Sequence, residues 1–369
     1  MNLALVHDWL NQRGGAEDVL EAMVGMYPGA PIYTSIYARE LMPAAYGTWD
    51  IRASWMDRLP GIHRHHQPYL PLYAATFGAM RLDGCDVVLS NKSGFCHWVN
   101  VGEALHICYC LAPTRYVWQF EQYVQRERIP MAGVLRPLMS ILKRGDFAAA
   151  QRVDAFIAIS SDIRERIARF YQRESVIIYP PVEIERFEPA RRAADYYLIV
   201  SRLVPYKRID LAVAACSQLE LPLIVAGSGR DRERLEAIAG PSVQFVGRVP
   251  DEDLPDLMAR CKAFIFPGLE DFGITPLQAQ AAGRPVIAFR GGGSLDTVIE
   301  GKTGVFFDEQ TVESLVGALA RLDGIAFEAR ACRENAARFG ADVFRRNLAG
   351  FIEKRYDEHR MKVPRGETV

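Results

Sequence analysis

Short apolar segments alternate with amphipathic segments along the whole chain. Runs of hydrophobic residues typical of buried strands recur in both halves: NLALVH, CDVVLS, LHICYC and AFIAIS in the first, and YYLIVS, PLIVAG, VQFVG, AFIFP and PVIAF in the second. Stretches with helical spacing, such as AEDVLEAMVGM, IDLAVAACSQL and RERLEAIA, follow several of these runs. Strands that alternate with helices predict parallel sheets covered by helices on both faces.

A pair of prolines divides this pattern. Pro180 and Pro181 continue neither a helix nor a central strand, and the alternation restarts after them. We therefore predict an α/β protein of two Rossmann-like, doubly wound domains, residues 1–179 and 183–345, that face a central cleft. The last helical stretch, residues 346–369, is expected to return to the first domain. Ligands of such sheets bind beyond the carboxyl ends of the strands, so the cleft is the expected site.

Composition and charge narrow the class of protein. The 369 residues, 49% hydrophobic and 24% charged, suit two soluble domains of roughly 150 to 200 residues each. The net charge of −1 is evenly spread: 18 Lys+Arg face 17 Asp+Glu up to Pro180, and 26 face 28 after it. This balance lacks the basic excess of a nucleic-acid-binding protein, so no nucleic-acid partner is expected.

The expected location is the cytoplasm. The opening MNLALVHDWL has no basic segment before its apolar run, and no uncharged run reaches about 18 residues, so we expect neither a signal peptide nor a membrane span. The seven cysteines are odd in number and scattered, with Cys108 and Cys110 inside an apolar strand pattern. We interpret them as buried free thiols rather than a zinc site.

Two glycine-rich turns precede helical patterns. Gly14 and Gly15 follow the first predicted strand, where backbone N–H groups at a helix start suit an anion, although a plain turn would also use glycine. The stretch IVAGSGRDRERLEAI has Gly227 and Gly229, but Arg232 stands where a dinucleotide fingerprint has its third glycine. The sequence therefore argues against NAD binding.

Cations and acids mark two further candidate stretches. In SRLVPYKRID, Lys207 and Arg208 lie at a predicted helix start, where the macrodipole disfavours cations unless an anion binds; a solvated charge run is the alternative. In GRVPDEDLPDL, Asp251 and Asp253 have the D-x-D spacing of some metal sites. Because they directly precede a helical pattern, where acids need no metal, the structural interpretation is favoured and no metal site is predicted.

The stretch GLEDFGITPLQAQAAG joins two acids to a helix start. Thr275 suits the N-cap, Pro276 suits the first helical position, and Gln278 completes a capping box. Glu270 and Asp271 precede that cap, and capping does not account for them. They are therefore candidates for a function.

In this order the motifs resemble a known family. The segments HDWLNQRGGAE, ALHICYCLAPTRYVW, YPPVEIERF, SRLVPYKRID, FVGRVPDEDL, GLEDFGITPLQAQAAGRPVIAF and GGGSLDTVIEGKTGVFF, with others between them, are similar to those of retaining group 1 glycosyltransferases with the GT-B architecture. The chain most resembles the bacterial branch that acts in surface polysaccharide assembly and includes mannosyltransferases. The resemblance covers nearly the whole sequence.

The resemblance implies a role for each matching position on the donor. The turn at Gly14 and Gly15 would place backbone N–H groups at the donor diphosphate. Arg202 and Lys207 would neutralise that diphosphate as it leaves, and Glu270 would bind hydroxyls of the transferred sugar.

Further positions would complete the donor site. The loop with Arg248 and Val249 would contact the base, largely through its backbone. The residues after Glu270 would surround the sugar: Asp271, Phe272, Gly273 and Ile274.

Two positions depart from the family pattern. Gln278 stands where the family has a second Glu that binds the ribose, and Leu111 stands where many relatives have a histidine. A neutral amide still accepts a hydrogen bond, but a charge-assisted bond is roughly twice as strong. We expect Gln278 to retain the ribose contact.

The expected function is transfer of a hexose from a nucleoside diphosphate sugar, a GDP- or UDP-hexose, to a glycan or lipid-linked glycan acceptor, with retention and without a metal or cofactor. Two alternatives remain open: a catalytically weak nucleotide-sugar-binding partner subunit, and a sugar-nucleotide epimerase. Residues 126–144 carry five cations and several apolar residues around a predicted helix start at Pro137. That stretch either contacts the inner face of the membrane peripherally or packs its apolar side inward.

Overall fold

The chain forms two compact α/β units. The computed structural model describes residues 1–120, 132–190 and 192–362. The first unit comprises Met1–Pro181 and Phe344–Val369, and the second comprises Val182–Val343. Each unit is built on one parallel sheet, which confirms the predicted fold class.

The first unit contains a seven-stranded sheet in the order β3-β2-β1-β4-β5-β6-β7. Its strands are β1 (Leu3–His7), β2 (Ile32–Thr34), β3 (Ile51–Ala53), β4 (Val87–Lys92), β5 (Leu105–Cys110), β6 (Ala155–Ala158) and β7 (Ser175–Ile177). Its helices up to Pro181 include α1 (Gly15–Met26), α2 (Leu70–Ala79), α3 (Arg115–Trp118), α4 (Ala132–Arg152) and α5 (Ser161–Tyr171). Strands β1, β4, β5 and β6 are buried along their whole length, as their continuous apolar runs predict.

The second unit contains a six-stranded sheet in the order β10-β9-β8-β11-β12-β13. Its strands are β8 (Tyr197–Val200), β9 (Leu223–Ala226), β10 (Val243–Gly247), β11 (Ala263–Phe266), β12 (Val286–Phe289) and β13 (Gly304–Phe307). Its helices include α6 (Ile209–Gln218), α7 (Arg232–Ala237), α8 (Leu254–Arg260), α9 (Ile274–Ala281), α10 (Ser294–Thr297), α11 (Val312–Asp323) and α12 (Ala329–Ala337). Helix α13 (Ala341–Lys362) follows, and from Phe344 onward it groups with the first unit.

Helices cover both faces of the second sheet. Ile199 and Ile265 join one buried cluster with residues of α6 and α11, whereas their neighbours Leu198 and Phe264 join another with residues of α9. Successive residues of a strand point to opposite faces, so a sheet covered on both sides needs an apolar residue at every position. This is why the strands read as unbroken hydrophobic runs.

The sequence did not predict four of the strands. β2, β3 and β7 have three residues each, and β3 and β7 lie at the edges of their sheet, so they carry little periodic signal. Strand β13 is fully buried, and its four residues directly follow a glycine-rich turn. Short strands in such settings depend on their neighbours in the sheet more than on their own sequence.

The predicted helix start at Pro137 is wrong. Within the described residues helix α4 extends from Ala132 and contains Pro137, because one missing backbone N–H weakens a helix without having to end it. Met139 and Leu142 are buried in the first unit's core, while Ile141 is 66% exposed. Between residues 136 and 144 the apolar side chains thus pack largely inward, and residues 126–131 lie outside the described part of the chain. Peripheral membrane contact stays a prediction.

In the described ranges, no helix combines the length and the hydropathy needed to cross a bilayer.

Candidate active site

The predicted catalytic residues of the second unit meet at one edge of its sheet. Strands β8 and β11 are neighbours, with β9 and β10 on one side and β12 and β13 on the other. The direction of winding therefore reverses between β8 and β11, and a crevice opens beyond their carboxyl ends. Arg202 and Lys207 follow β8, and Glu270 follows β11. Residues far apart in sequence thus flank the same crevice.

Lys207 and Glu270 form an ion pair across this crevice, between Nζ and Oε1. Their side chains are 14% and 20% exposed, so the pair is partly desolvated yet open to solvent on one side. Such a pair interacts more strongly than a fully exposed one. Each member can still exchange its partner for a ligand. The ammonium can bind an anion, and the carboxylate can accept hydrogen bonds from hydroxyl groups.

Tyr206 connects the two predicted cations. The Lys207 ammonium lies 5.3 Å from the centre of the Tyr206 ring, and Nη2 of the exposed Arg202 donates to the Tyr206 hydroxyl over 3.1 Å. The sequence analysis did not single out this tyrosine. Its contacts orient both cations from one segment.

The neighbouring Arg208 has a different partner. It adopts a left-handed conformation, φ +50°, directly before α6, and its guanidinium contacts Asp210 over 3.2 Å from Nε to Oδ1. The carboxylate in the first helical turn offsets the unfavourable position of this cation. The solvated-charge interpretation therefore fits Arg208, whereas Lys207 is directed to the crevice.

Glycines fix the loop that carries Glu270. The Gly293 N–H donates to the Glu270 carbonyl over 2.9 Å, and Gly292, at φ +60°, approaches that carbonyl so closely that a Cβ would lie 2.1 Å from its oxygen. On the other side, a Cβ on Gly268 would lie 3.1 Å from the Lys207 backbone. The loop is thus held between the Lys207 segment and the glycine turn after β12.

The predicted capping box at Thr275 and Gln278 is wrong. Helix α9 begins at Ile274, one residue earlier, with Gly273 at the N-cap and no side-chain cap. Gly273 has φ +95°, and a Cβ there would lie 2.9 Å from the Phe266 ring, so this turn starts the helix before Thr275. Pro276 then occupies the third position, where an N–H has no helical partner in any case. Gln278, half-buried inside the helix, serves no cap.

The other residues predicted around the sugar occupy one loop and helix start. Asp271 is half-buried, while Phe272 is buried, with its ring 5.9 Å from that of Phe339. Gly273 and Ile274 lead directly into α9. Their backbone N–H groups belong to the first turn of the helix, where they suit polar ligand atoms.

Arg248 and Val249 follow β10. Arg248 is exposed, and Val249 lines a cavity of about 330 Å³ together with Tyr196 and Ile224. Strand β10 is at the edge of the sheet, two strands from β8. The structure thus locates these two residues apart from the crevice strands, on the side of β9.

The acids of the D-x-D stretch lie in the turn before α8. Asp251 and Asp253 are exposed, and the Asp251 carbonyl accepts a hydrogen bond from Arg186. Asp253 occupies the N-cap position of α8 without a side-chain cap bond. Among the described residues, no group of three or more His, Cys, Asp or Glu side chains could hold a metal ion.

Gly14 and Gly15 belong to the first unit. Gly14 is the N-cap of α1 and Gly15 its first residue, and both are exposed. The Gly14 carbonyl accepts from the N–H groups of Glu17 and Asp18, each over 3.0 Å. Buried Glu17 also lies 3.3 Å from His7 Nε2, a contact that fixes the start of the helix to β1.

The first unit also contains a buried polar network that the sequence analysis missed. The Lys92 ammonium is fully buried and donates to the Ala112 carbonyl over 3.0 Å and to Thr114 Oγ1 over 3.2 Å. Thr114 contacts Asp146, which also accepts from Trp118 Nε1 over 2.6 Å. Burial by itself lowers the pKa of Lys92, but nearby acidic groups, among them Asp146, raise it overall. The network fixes the segment after β5.

Residues predicted for other reasons lie beside this network. Leu111 is buried, and its N–H donates to the Lys92 carbonyl over 2.8 Å. Cys108 and Cys110 are buried free thiols on β5, as predicted. Burial raises the pKa of the Cys108 thiol well above its usual value.

Solved structures share this fold over nearly the whole chain. Anabaena Alr3699/HepE in complex with UDP has a TM-score of 0.72 at 17% identity, covering 96% of this chain and 100% of that one. Sucrose-phosphate synthase from Thermosynechococcus elongatus has a TM-score of 0.71 at 19% identity, with the same coverage. The fold is that of the GT-B glycosyltransferases.

The second unit is similar to a known family of enzymes. Residues 182–339 match the model of the glycosyl transferases group 1. A GDP-mannose-dependent alpha-(1-6)-phosphatidylinositol monomannoside mannosyltransferase of Mycolicibacterium smegmatis is 30% identical over 201 residues, 46% of this chain and 53% of that protein. The chain spans about half the length of the curated relatives it matches. The likeness to the group 1 glycosyl transferases thus covers the second unit, which is less than half of the chain.

Proposed function

We propose that the protein is a retaining, metal-independent glycosyltransferase that moves a hexose from a nucleoside diphosphate to a glycan or lipid-linked glycan. The observation that carries this proposal is the Lys207–Glu270 pair at the winding reversal of the second sheet. One crevice there offers a cation for a diphosphate and a carboxylate for sugar hydroxyls, inside the segment that matches the family.

The donor class is supported by the comparisons. Several relatives are named as GDP-mannose-dependent, and neighbouring structures hold UDP or UDP-glucose. We therefore propose a GDP- or UDP-hexose as the donor. The relatives named for a phosphatidylinositol mannoside support a glycan on a lipid as one form of the acceptor.

In the proposed reaction an acceptor hydroxyl attacks the anomeric carbon from the face that the diphosphate leaves. The bond between that carbon and the phosphate oxygen breaks, and the departing diphosphate takes the proton of the hydroxyl. Arg202 and Lys207 stabilise the negative charge that develops on the diphosphate. Glu270 accepts hydrogen bonds from hydroxyls of the sugar and so fixes the position of the sugar.

The remaining residues are also assigned to separate parts of the donor. Gly14 and Gly15 donate backbone N–H groups to the diphosphate, Phe272, Gly273 and Ile274 surround the sugar with Asp271, and Gln278 contacts the ribose. Arg248 and Val249 are proposed to contact the base. No residue in this scheme needs a metal, because cations of the chain itself neutralise the leaving group.

A donor screen tests the proposal. Binding of UDP-glucose, UDP-galactose and GDP-mannose is measured by thermal shift, and release of the nucleoside diphosphate is measured with EDTA present. We expect one donor to stabilise the protein and to be hydrolysed slowly in the absence of an acceptor. Binding without any turnover, with acceptors included, would favour the partner-subunit alternative. Loss of turnover in EDTA would contradict metal independence.

A further inference from the structure

A second pocket lies in the first unit, apart from every residue assigned to the donor. It has a volume of about 460 Å³ between the segment around α3 and helices α4 and α5. This volume is within the range of sites for small molecules. The aromatic part of its wall is Trp118 and Phe170, and its cations are Arg136, Lys143 and Arg169.

The aromatic side chains are held in fixed positions. The rings of Trp118 and Phe170 stack with their centres 5.1 Å apart, and both are half-buried. The Trp118 indole N–H donates over 2.6 Å to Asp146, which is fully buried and also accepts from Tyr171 over 2.8 Å. The pocket therefore has a preformed apolar wall, of the kind against which sugar rings pack.

The described residues that line the pocket carry positive charge. No described lining residue is acidic, while the three cations come from two helices. The Lys143 ammonium lies 4.8 Å from the centre of the Trp118 ring, and the Arg169 guanidinium lies 5.6 Å from that of Phe170. These ring contacts place each cation beside an aromatic surface and leave its N–H donors available.

We propose that this pocket binds a sugar that carries a phosphate or carboxylate group. The stacked rings suit the apolar face of a pyranose, and Lys143 and Arg169 suit an anion attached to it. A membrane surface fits less well, because Met139 of α4 is buried and the site is concave with a polar rim that includes Ser140. The inference does not depend on the donor site, since no residue is shared.

The test uses the full chain and a matched pair of variants. The test variant, Lys143→Gln with Arg169→Gln, removes two pocket cations. The control variant, Arg144→Gln with Arg164→Gln, removes two exposed cations from the same helices outside the pocket. Glucose 1-phosphate, glucuronate and neutral glucose are titrated into each protein by calorimetry, in parallel with vesicles of phosphatidylglycerol or phosphatidylcholine.

We expect glucose 1-phosphate or glucuronate to bind the native protein and the control variant equally, and the test variant about tenfold or more weakly. Glucose should bind each protein more weakly than the anionic sugars do. Equal binding by test and control variants would overturn the proposal, as would native protein that binds neither anionic sugar. Binding to phosphatidylglycerol vesicles alone, lost in the test variant, would replace it with a membrane site. UDP and GDP titrations report separately on the donor site.

Discussion

The two units have the same kind of parallel sheet but keep their acidic and basic side chains in different places. Among the described residues of the first unit, seven side chains of Asp, Glu, Lys, Arg or His are buried: His7, Asp8, Glu17, Lys92, His97, His106 and Asp146. In the described part of the second unit Asp231 is the one buried acid, and no basic side chain is buried. Lys207 and Glu270 instead remain partly exposed at the carboxyl edge of its sheet.

The difference separates charges that stabilise the structure from charges that we propose bind a ligand. The Asp8 carboxylate accepts from the backbone N–H groups of Ser93, Gly94 and Cys96 over 2.6 to 2.8 Å, at the carboxyl ends of β1 and β4. The first unit thus fills its own winding reversal with a side chain. The second unit leaves the equivalent point to an ion pair that a ligand can separate.

The largest expected effect is the loss of a buried charge in the first unit. Asp146→Ala leaves the Lys92 ammonium buried without its acidic neighbour and removes acceptors from Trp118 and Tyr171, so we expect a loss of about 3 to 5 kcal/mol in the free energy of unfolding. The matched change in the second unit, Asp323→Ala, breaks an exposed pair with Lys262 and should cost less than about 1 kcal/mol. Urea denaturation measures both. Similar small losses of free energy in both variants would contradict the difference between the units.

The second prediction concerns catalysis. Lys207→Ala and Arg202→Ala should each lower kcat/KM by about a hundredfold or more, because each removes a cation that we propose stabilises the leaving diphosphate. The free energy of unfolding should change little for Arg202→Ala, since that side chain is exposed. Lys302→Ala, an exposed cation of the same unit, is the control and should keep normal turnover. Near-normal turnover in either site variant contradicts its role.

The third prediction is a difference in acid sensitivity. All seven histidines belong to the first unit. Burial lowers the pKa of His106 to about 3 and that of His97 well below its usual value. Below pH about 6.5 these two imidazoles bind protons in the unfolded chain but not in the folded protein. The free energy of unfolding therefore falls as the pH falls.

The expected size follows from the pKa difference. His106 alone should lower the free energy of unfolding of the first unit by about 2 kcal/mol between pH 6.5 and pH 5. Hydrogen exchange measured at pH 7 and pH 5 should show loss of protection in the first unit and little in the second. His106→Gln should make the pH dependence shallower. An equal loss in both units would show that buried histidines do not set the acid limit.

The smallest expected effect is at Gln278. Because the side chain serves no cap, Gln278→Ala should leave the melting temperature nearly unchanged and weaken donor binding. Gln278→Glu should strengthen the hydrogen bonds to the ribose by about 1 kcal/mol, or about fivefold in Kd, unless the diphosphate repels the new charge. Calorimetry with the donor identified by screening measures both. Unchanged affinity in both variants would remove Gln278 from the site.

The sequence predicted the long buried strands, because a sheet covered on both faces demands continuous apolar runs such as LHICYC. It could not predict β2 or β7, whose three residues depend on neighbouring strands. The start of α9 was misjudged because Gly273 turns against Phe266, a contact that the local capping pattern does not contain. The local capping rule failed there because tertiary packing sets the start of the helix.

The same distinction applies to the sites. Arg202, Lys207 and Glu270 could be selected from their motifs, but the pairing of Lys207 with Glu270 follows from the adjacency of β8 and β11. The network of Lys92 and Asp146 leaves one weak signal in the sequence: Lys92 is a charged residue at the end of a buried strand. Its partners are distant in sequence, so only the fold brings them together.

The most direct test of the central claim is calorimetric titration of UDP and GDP, and of the corresponding sugar nucleotides, into native protein, Lys207→Ala and Glu270→Gln. The claim is that Lys207 binds the diphosphate and Glu270 the sugar in the crevice of the second unit. We expect Lys207→Ala to weaken both kinds of ligand by about tenfold or more, and Glu270→Gln to weaken the sugar nucleotide but not the diphosphate. Native affinity for both ligands in both variants would contradict the claim.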